Sequence, residues 1–599
     1  MAPAPVPAGE EVAWLQPLPD SLVAAETEDP ADIVAGHQHG SRRRYVSHAK
    51  HSCGGATTMP QLRPALKRSE EFHMVQGELT RPDGVVIRWE EEGAGDPVVL
   101  LHGLSSSARS FRRQLQGLSG EFRVIALDQR GYGRSDDDPG MPDLEAWAAD
   151  AAAVLEVAGA PAHLIGSSFG ALVGLAVARR WPTLLRSLTL ISPTLGRGGA
   201  SIAEREAWRT GRLDAVHADA SVRAANMAAG DASPEVLAAI AESVRLVRPR
   251  TFRAVVDAIT ETDAAPWLSG LRLPVLVIVG TEDRVTGRPV ANQAAAEVLG
   301  ARLALIPSAG HAAYLERPWI VNSTLSAFLL EVDGVAPVKI GVCGPGTLGR
   351  QIIEGVGLGL AGPAQVVAVA CRAGSEARVS ELAGRLGATL TNDPDRLPQL
   401  GAEVVVEAAG PEVARHYLAG WIAGGVDVLL LSVGALADPG FEADIRRRLR
   451  RSGRRVLVPA GAVSGADALA AAAAAGLDHL NLTTVKPLQA LDEAKDAGTE
   501  VVFRGSAREA AAAFPRNMKV AATLALAASA SGAEVGVELI ADQSAERNCH
   551  RLTARGAFGR METVTENLPS PGNPKTSYLA GLSALTALRR LRDPLVIGA

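Results

Sequence analysis

The sequence predicts an α/β protein in which one run of parallel strands and helices is followed by a second, and the chain closes on a mixed α+β segment. Three observations predict it. Strand-length apolar runs such as DPVVLL (96–101), VIALD (124–128) and LPVLVIVG (273–280) recur between helical stretches. Their continuous rather than alternating apolar character is that of parallel strands covered on both faces. Next, VKIGVCGPGTLG (338–349) sets a short β-branched strand against Gly344, Gly346 and Gly349, with a helix-forming RQIIEGV behind. That G-x-G-x-x-G in a strand–turn–helix context is the physical form of a dinucleotide site: the first glycine turns the chain tightly, the second admits a pyrophosphate, and the third lets helix and strand pack closely. Thr347 and Leu348 lie in the same turn, where the unpaired N–H groups and dipole of a helix start favour phosphate. Finally, 599 residues exceed what one core can organise.

Composition narrows the function classes. With 47% hydrophobic, 21% charged and 4% aromatic residues, the chain is an ordinary globular protein. A net charge of -6 leaves no footprint for nucleic acid or an anionic membrane, and neither partner is expected. Cys53, Cys343, Cys371 and Cys549 include no C-x-x-C pair, so a disulfide framework and a zinc site are both unexpected, no metal is assigned, and a reducing cytoplasm is the expected home. The alanine-rich run 468–475 is too short to span a bilayer. Residues 1–74 read as a disordered tail, in which His37, His39, His48 and His51 are expected to be solvated rather than metal ligands. Arg42, Arg43 and Arg44 lack the apolar segment a signal would need, and the recognisable pattern begins just after Met74.

In the first α/β run, expected over 75–332, DPVVLL leads to His102-Gly103-Leu104, and HLIG (163–166) leads into Gly166-Ser167-Ser168-Phe169-Gly170 before a helical ALVGLAVARRW. Small residues around Ser168 allow the sharp strand-to-helix turn that thrusts a hydroxyl outward. LPVLVIVG delivers Glu282 and Asp283, and LALIPSAGH (303–311) delivers His311. HGL, DQRGYGRSD, GSSFG, GTEDRV and SAGH, in that order over residues 80–331, resemble the α/β-hydrolase family. The resemblance implies Ser168 as nucleophile, His311 as its general base and Asp283 as the acid orienting the imidazole, with Glu282 a lesser alternative. It also implies an oxyanion hole from the N–H groups of Phe169 and Leu104, about 3 kcal/mol per donor. His102 reads as a loop anchor. The polar, helical interval of about 194–267 corresponds to the family's cap; ester, enol-lactone and carbon–carbon bond hydrolysis stay open.

A linker of four residues, 333–336, reaches at most about 14 Å, so the two halves must touch or nearly touch. Beyond the glycine turn, VVAVAC (366–371) is expected as the second strand of a Rossmann unit over 337–460, completed by the C-terminal helix. An acid normally stands at its end to hold the ribose; here Cys371 and Arg372 do, so NADP is expected at least as readily as NAD. EVVVEAA (403–409), VDVLLLSVGAL (426–436) and RRVLVPAGA (454–462) continue the strands, and residues 461–599 turn to helices and mixed strands. GPGTLG, PAGAVSGADAL, RGSAREAAAAFPRN, ERNCH and PSPGNPKTS resemble the L-aspartate dehydrogenase family over 337–599. The expected architecture is thus an α/β-hydrolase fold followed by a Rossmann NAD(P)-binding domain with an α+β catalytic and dimerisation domain of mixed sheet.

The second resemblance implies reversible oxidative deamination of L-aspartate to iminoaspartate and oxaloacetate with NAD or NADP, ammonia being the other product, and a homo-oligomer built through the C-terminal sheet. His550 in ERNCH matches the family's catalytic histidine, apt because the amine must lose protons as hydride leaves Cα. Ala462 and Asn517 match positions beside the cofactor. Lys519 stands where the family often has Asn, a position that helps hold the cofactor, and is a candidate for the cofactor or instead for a substrate carboxylate; Gln543 stands where proline is usual. Lys575 and Thr576 are candidates for the anionic substrate or for helix capping, and Cys549 beside His550 is a candidate oxidation point. A bifunctional enzyme is therefore expected, with an unidentified hydrolase substrate. The alternatives are a hydrolase regulated by an inactive nucleotide-binding module, a passenger hydrolase fold, and a dehydrogenase of another dicarboxylate.

Overall fold

The apolar runs between glycine-rich turns become the strands of three main sheets. The computed structural model describes residues 75–215, 219–488, 499–514, 519–570 and 573–598. The tail over 1–74, Asn517 and the side chain of Lys575 lie outside the described residues.

The first sheet comprises β1 (Val75–Thr80), β2 (Val86–Glu92), β3 (Pro97–Leu101), β4 (Arg123–Asp128), β5 (Ala162–Ser167), β6 (Leu185–Ile191), β7 (Val275–Gly280) and β8 (Arg302–Ile306), ordered β1-β2-β4-β3-β5-β6-β7-β8. β2 runs antiparallel to β4, and all pairings from β4 to β8 are parallel. Every residue of β3, β5 and β7 is buried, as continuous apolar runs demand. β6 carries no continuous apolar run to mark it in the sequence, because Ser187 and Thr189 interrupt it. Both are buried, and Ser187 Oγ meets its need internally by a 2.8 Å hydrogen bond to His163 Nδ1. Between β6 and β7 the cap is helical: Ile202–Asp214, Ala220–Met227, Pro234–Arg245, Pro249–Glu261 and Ala265–Leu268.

After the helix Pro318–Val332, Asp333 accepts from Arg186 Nη1 (2.9 Å) and His163 Nε2 (3.2 Å), tying the start of the connection to the first sheet. Thr324 Oγ1 of that helix donates to the Leu358 carbonyl at 2.8 Å. Gly359, at φ +71, backs onto the Ser323 carbonyl, so the two folds touch at the turn after the glycine-turn helix.

The second sheet is β9 (Val338–Cys343), β10 (Ala364–Ala370), β11 (Thr389–Thr391), β12 (Val404–Glu407), β13 (Asp427–Leu430) and β14 (Val456–Leu457), all parallel in the order β11-β10-β9-β12-β13-β14. Strand order reverses at β9, which puts a ligand crevice at its C-terminal end. β13 is shorter than VDVLLLSVGAL suggests, because the chain turns at Ser432 into a 3-10 segment, Val433–Ala437. The helix Tyr578–Arg589 returns to this sheet and seats Leu585 on Gly355, where a Cβ would lie 2.5 Å away.

The third sheet holds β15 (Leu477–Pro487), β16 (Thr499–Ser506), β17 (Gly536–Asp542), β18 (Asn548–Gly556) and β19 (Gly559–Asn567) in the order β16-β17-β15-β18-β19; a small ribbon follows, β20 (Pro569–Ser570) and β21 (Asn573–Ser577). It is mixed: β15 pairs parallel with β17 and antiparallel with β18. One face packs on the helices Ala466–Ala475, Ala507–Ala513 and Lys519–Ala527, while the other leaves Val485, Ile540, Cys549 and Thr553 only partly covered. Among the described residues no helix is long and apolar enough to cross a membrane.

Candidate active sites

At the end of β5, Ser168 adopts φ 53 and ψ -109. That left-handed conformation in a residue with a side chain costs about 1–3 kcal/mol and persists only where packing dictates it. The flanking glycines supply that packing. A Cβ on Gly166 would lie 2.2 Å from the Gly170 carbonyl oxygen, and one on Gly170 2.2 Å from that of Leu101, so strand, turn and helix interlock with no room for side chains. Phe169 opens the helix Phe169–Arg180, whose first N–H groups have no intrahelical acceptor. Gly103 abuts Ser168, with its would-be Cβ 3.2 Å from the serine Cβ, which brings the Leu104 backbone alongside. Tyr132 Oη donates to the Leu104 carbonyl at 2.9 Å, and His102 is buried beneath, bonded to the Gly103 carbonyl (2.9 Å) and the Gln129 N–H (3.2 Å). His102 therefore pins the loop.

Asp283 and His311 arrive on the turns after β7 and β8. These turns interlock at Gly280, whose would-be Cβ lies 2.1 Å from the Ala309 carbonyl oxygen. His311 Nδ1 donates to Asp283 Oδ2 at 3.0 Å. Asp283 also accepts from the N–H groups of Val285 (2.8 Å) and Thr286 (3.2 Å) and from Thr286 Oγ1 (3.0 Å). Burial works to raise its pKa, but the His311 contact and these N–H donors outweigh it and hold the carboxyl well below the usual range. Glu282 turns elsewhere and accepts from the Gly230 N–H at 3.0 Å. Glu316 is buried behind the histidine and accepts from the N–H groups of Gly310 (2.9 Å) and Ala229 (2.7 Å). Ser168, His311, Gly103 and Leu104 line one cavity of about 410 Å³ beneath the cap.

The second site forms at the end of β9. Gly344 sits at φ +90 against Ala409, and a Cβ on Gly349 would lie 2.1 Å from the Gly344 carbonyl oxygen. Gly346 differs: its φ is -75 and an added Cβ would meet no protein atom within 4 Å. Nothing within the fold demands glycine there, whereas a pyrophosphate approaching the N-terminus of the helix Thr347–Gly357 does, so the cradle fits a dinucleotide. Arg372 lies exposed just beyond β10, and Cys371 beside it is buried.

His550 is 3% exposed on β18, one face of which reads Asn548, His550, Leu552, Ala554. Cys549 points to the opposite face, and burial, reinforced by Glu566, pushes its thiol pKa up, so it takes no part in the site. Thr484 Oγ1 of β15 is hydrogen-bonded to His550 Nδ1 at 3.1 Å. Burial first and the Lys486 charge second bring the imidazole pKa down to about 4. Lys486 was not singled out in the sequence; its burial lowers its own pKa to about 8. A cavity of about 90 Å³ brings His550, Lys486, Lys519, Ala462 and Thr576 together with Leu348 of the glycine turn. Burial also lowers the Lys519 pKa, while Glu407 works to raise it. Asn567 Nδ2 donates to the Ala462 carbonyl at 2.9 Å and holds that backbone at the cavity wall.

Comparison with known proteins bears on both sites. Residues 98–320 match the model of the Alpha/beta hydrolase family, residues 344–459 that of the Homoserine dehydrogenase, NAD binding domain, and residues 467–591 that of Aspartate dehydrogenase, C-terminal. An L-aspartate dehydrogenase of Methanosarcina acetivorans is 38% identical over 275 residues, covering 44% of this chain and 99% of the relative. The chain belongs to the L-aspartate dehydrogenase family. A second member, from Ruegeria pomeroyi, is 37% identical over 262 residues, covering 42% of this chain and 92% of the relative. The crystal structure of aspartate dehydrogenase from Thermotoga maritima shares 25% identity at a TM-score of 0.36, covering 43% of this chain and 99% of that one. The aspartate dehydrogenase half is thus fused behind an α/β-hydrolase domain, and NAD(P) is its cofactor.

Proposed function

We propose that the C-terminal half oxidises L-aspartate to iminoaspartate, which water converts to oxaloacetate and ammonia, and that it runs in reverse as an amination. What carries the reading is the cavity in which His550 and Lys486 meet Leu348 of the glycine turn. When bound, the nicotinamide supplies the hydride acceptor. His550, kept neutral by burial, takes a proton from the substrate amine as hydrogen leaves Cα with its electron pair. Thr484 occupies Nδ1 and so presents Nε2 as the exchanging nitrogen. Lys486 and Lys519 line the cavity and supply positive charge for the two carboxylates. Since no carboxylate stands at Cys371 or Arg372 to repel a 2′-phosphate, NADP is accepted at least as readily as NAD. The partly covered face of the third sheet, with Val485 and Ile540, supports a homo-oligomer through that surface.

The N-terminal half is a serine hydrolase in this reading. Ser168 attacks, His311 takes its proton, Asp283 orients the ring and stabilises the imidazolium, and the N–H groups of Phe169 and Leu104 hold the oxyanion. The dehydrogenase assignment is tested by nicotinamide reduction with a panel of amino and hydroxy acids, offering NAD and NADP in turn. L-Aspartate is expected to give the highest kcat/KM; a higher value for L-glutamate or L-malate overturns it.

A further inference from the structure

Three arginines line the hydrolase cavity: Arg197, ahead of the cap helices, and Arg212 and Arg223 on those helices. Arg212, on the helix Ile202–Asp214, and Arg223, on Ala220–Met227, both line it together with Ser168 and His311. Among the described residues neither lies within ion-pair distance of a carboxylate, although other cap arginines do: Arg209 pairs with Asp257 at 2.6 Å and Arg248 with Asp137 at 2.7 Å. Asp263 lines the same cavity but its Oδ1 accepts from the Ala265 N–H at 3.3 Å. The Trp208 and Phe252 ring centres lie 5.6 and 5.3 Å from the guanidinium carbons of Arg212 and Arg223, cation–π contacts that leave their charge without a counter-ion. Arg223 Nη2 donates to Ser105 Oγ at 3.0 Å, one residue beyond the Leu104 backbone. The charges they feel are cationic: burial, then Arg197, lowers the Arg212 pKa, and burial, then Arg212, lowers that of Arg223. A separate observation concerns Ser106, which lines this cavity at 8% exposure and whose Oγ has no hydrogen-bond partner among the described residues. Half-buried cations without a counter-charge, beside a buried hydroxyl left unpaired, are sites that a ligand's oxygens complete.

We propose that the hydrolase acts on an ester bearing a free carboxylate, a monoester of a small dicarboxylic acid, with the carboxylate held by Arg212 and Arg223 while the acyl carbon meets Ser168. The proposal rests on the serine-hydrolase reading of Ser168, His311 and Asp283. Ser168 Oγ bonds to the acyl carbon, the ester C–O bond breaks, and the alcohol leaves with the proton His311 took from the serine. Water then cleaves the acyl-enzyme, its hydroxyl joining the acyl carbon and its other hydrogen returning to Ser168. The product is a small diacid, the same chemical class as the substrate proposed for the dehydrogenase half.

The test compares methanol release by the full chain from monomethyl glutarate and from methyl pentanoate, its uncharged counterpart. The kcat/KM for the charged ester is expected to exceed that for the neutral one by about 10²-fold. Arg212→Gln and Arg223→Gln are each expected to shrink that ratio about 10-fold, chiefly through KM, with Arg223→Lys keeping part of it. A preference for the neutral ester, a ratio indifferent to both arginines, or a preference for methyl 4-phosphonobutanoate over the glutarate ester overturns the carboxylate assignment. If the full chain cleaves no ester, or cleaves esters as well with Ser168→Ala, the hydrolase reading has failed, and the anion site is read separately by calorimetric titration of glutarate. Binding that disappears on adding Arg223→Gln then supports the site, and no binding overturns it.

Discussion

The two halves each set one histidine at the centre of a cavity and surround it in opposite ways. His311 faces a buried carboxylate, Asp283, 3.0 Å from its Nδ1. His550 faces a neutral hydroxyl, Thr484, at 3.1 Å, with a lysine ammonium as the nearby charge. An adjacent carboxylate stabilises the imidazolium that appears when a serine proton is taken up, whereas a buried, cation-flanked ring is held in its neutral form, with an unprotonated nitrogen facing the amine. The same side chain thus becomes the partner of a nucleophile in one fold and an acid–base group for an amine in the other, and the difference resides in the atom opposite Nδ1.

Four substitutions break or sharpen that contrast. Ser168→Ala should lower ester hydrolysis by on the order of 10⁶-fold while aspartate-dependent nicotinamide reduction holds steady, because the sites share no residue. Asp283→Asn should cost about 10⁴-fold in kcat for the ester, by stabilising the wrong tautomer of His311. The corresponding change at the other ring, Thr484→Val, removes only a neutral hydrogen bond, and about a 10-fold fall in aspartate kcat is expected. Equal losses at Asp283 and Thr484 would erase the distinction. Lys486→Met has the subtlest effect. Removing a cation that disfavours the imidazolium should move the His550 pKa upward from about 4, though not to its ordinary value, because burial is the larger cause. NMR titration of labelled histidine, assigned with His550→Gln, reads this directly; an unchanged or lower value would mean the charge is not felt.

What was legible in the sequence follows from where sterics leave a mark. Gly166, Gly170, Gly344 and Gly349 are written into it because a Cβ at each would collide with neighbouring backbone, so both turns can be read from spacing alone. Side chains whose meaning depends on burial left fainter signs. Lys486 looks like a solvated strand lysine, yet it continues the period of two set by Leu480, Leu482 and Thr484, which places it on the covered face. Arg212 resembles any arginine on a polar helix; its one signal is Trp208, rather than an acid, four residues earlier. β6 escaped notice because the hydrogen bond that pays for Ser187 comes from another strand. Glu282 and Asp283 are adjacent in the chain, and only the turn after β7 separates them, aiming one at His311 and the other at the Gly230 N–H.

The most direct test assays both reactions in the same two variants of the full chain, His311→Gln and His550→Gln. His311→Gln is predicted to abolish ester cleavage and leave aspartate oxidation intact; His550→Gln is predicted to lower aspartate oxidation about 10²- to 10⁴-fold and leave ester cleavage intact. Aspartate oxidation that survives the loss of His550, or both reactions falling together in either variant, would contradict two separate imidazoles doing separate chemistry.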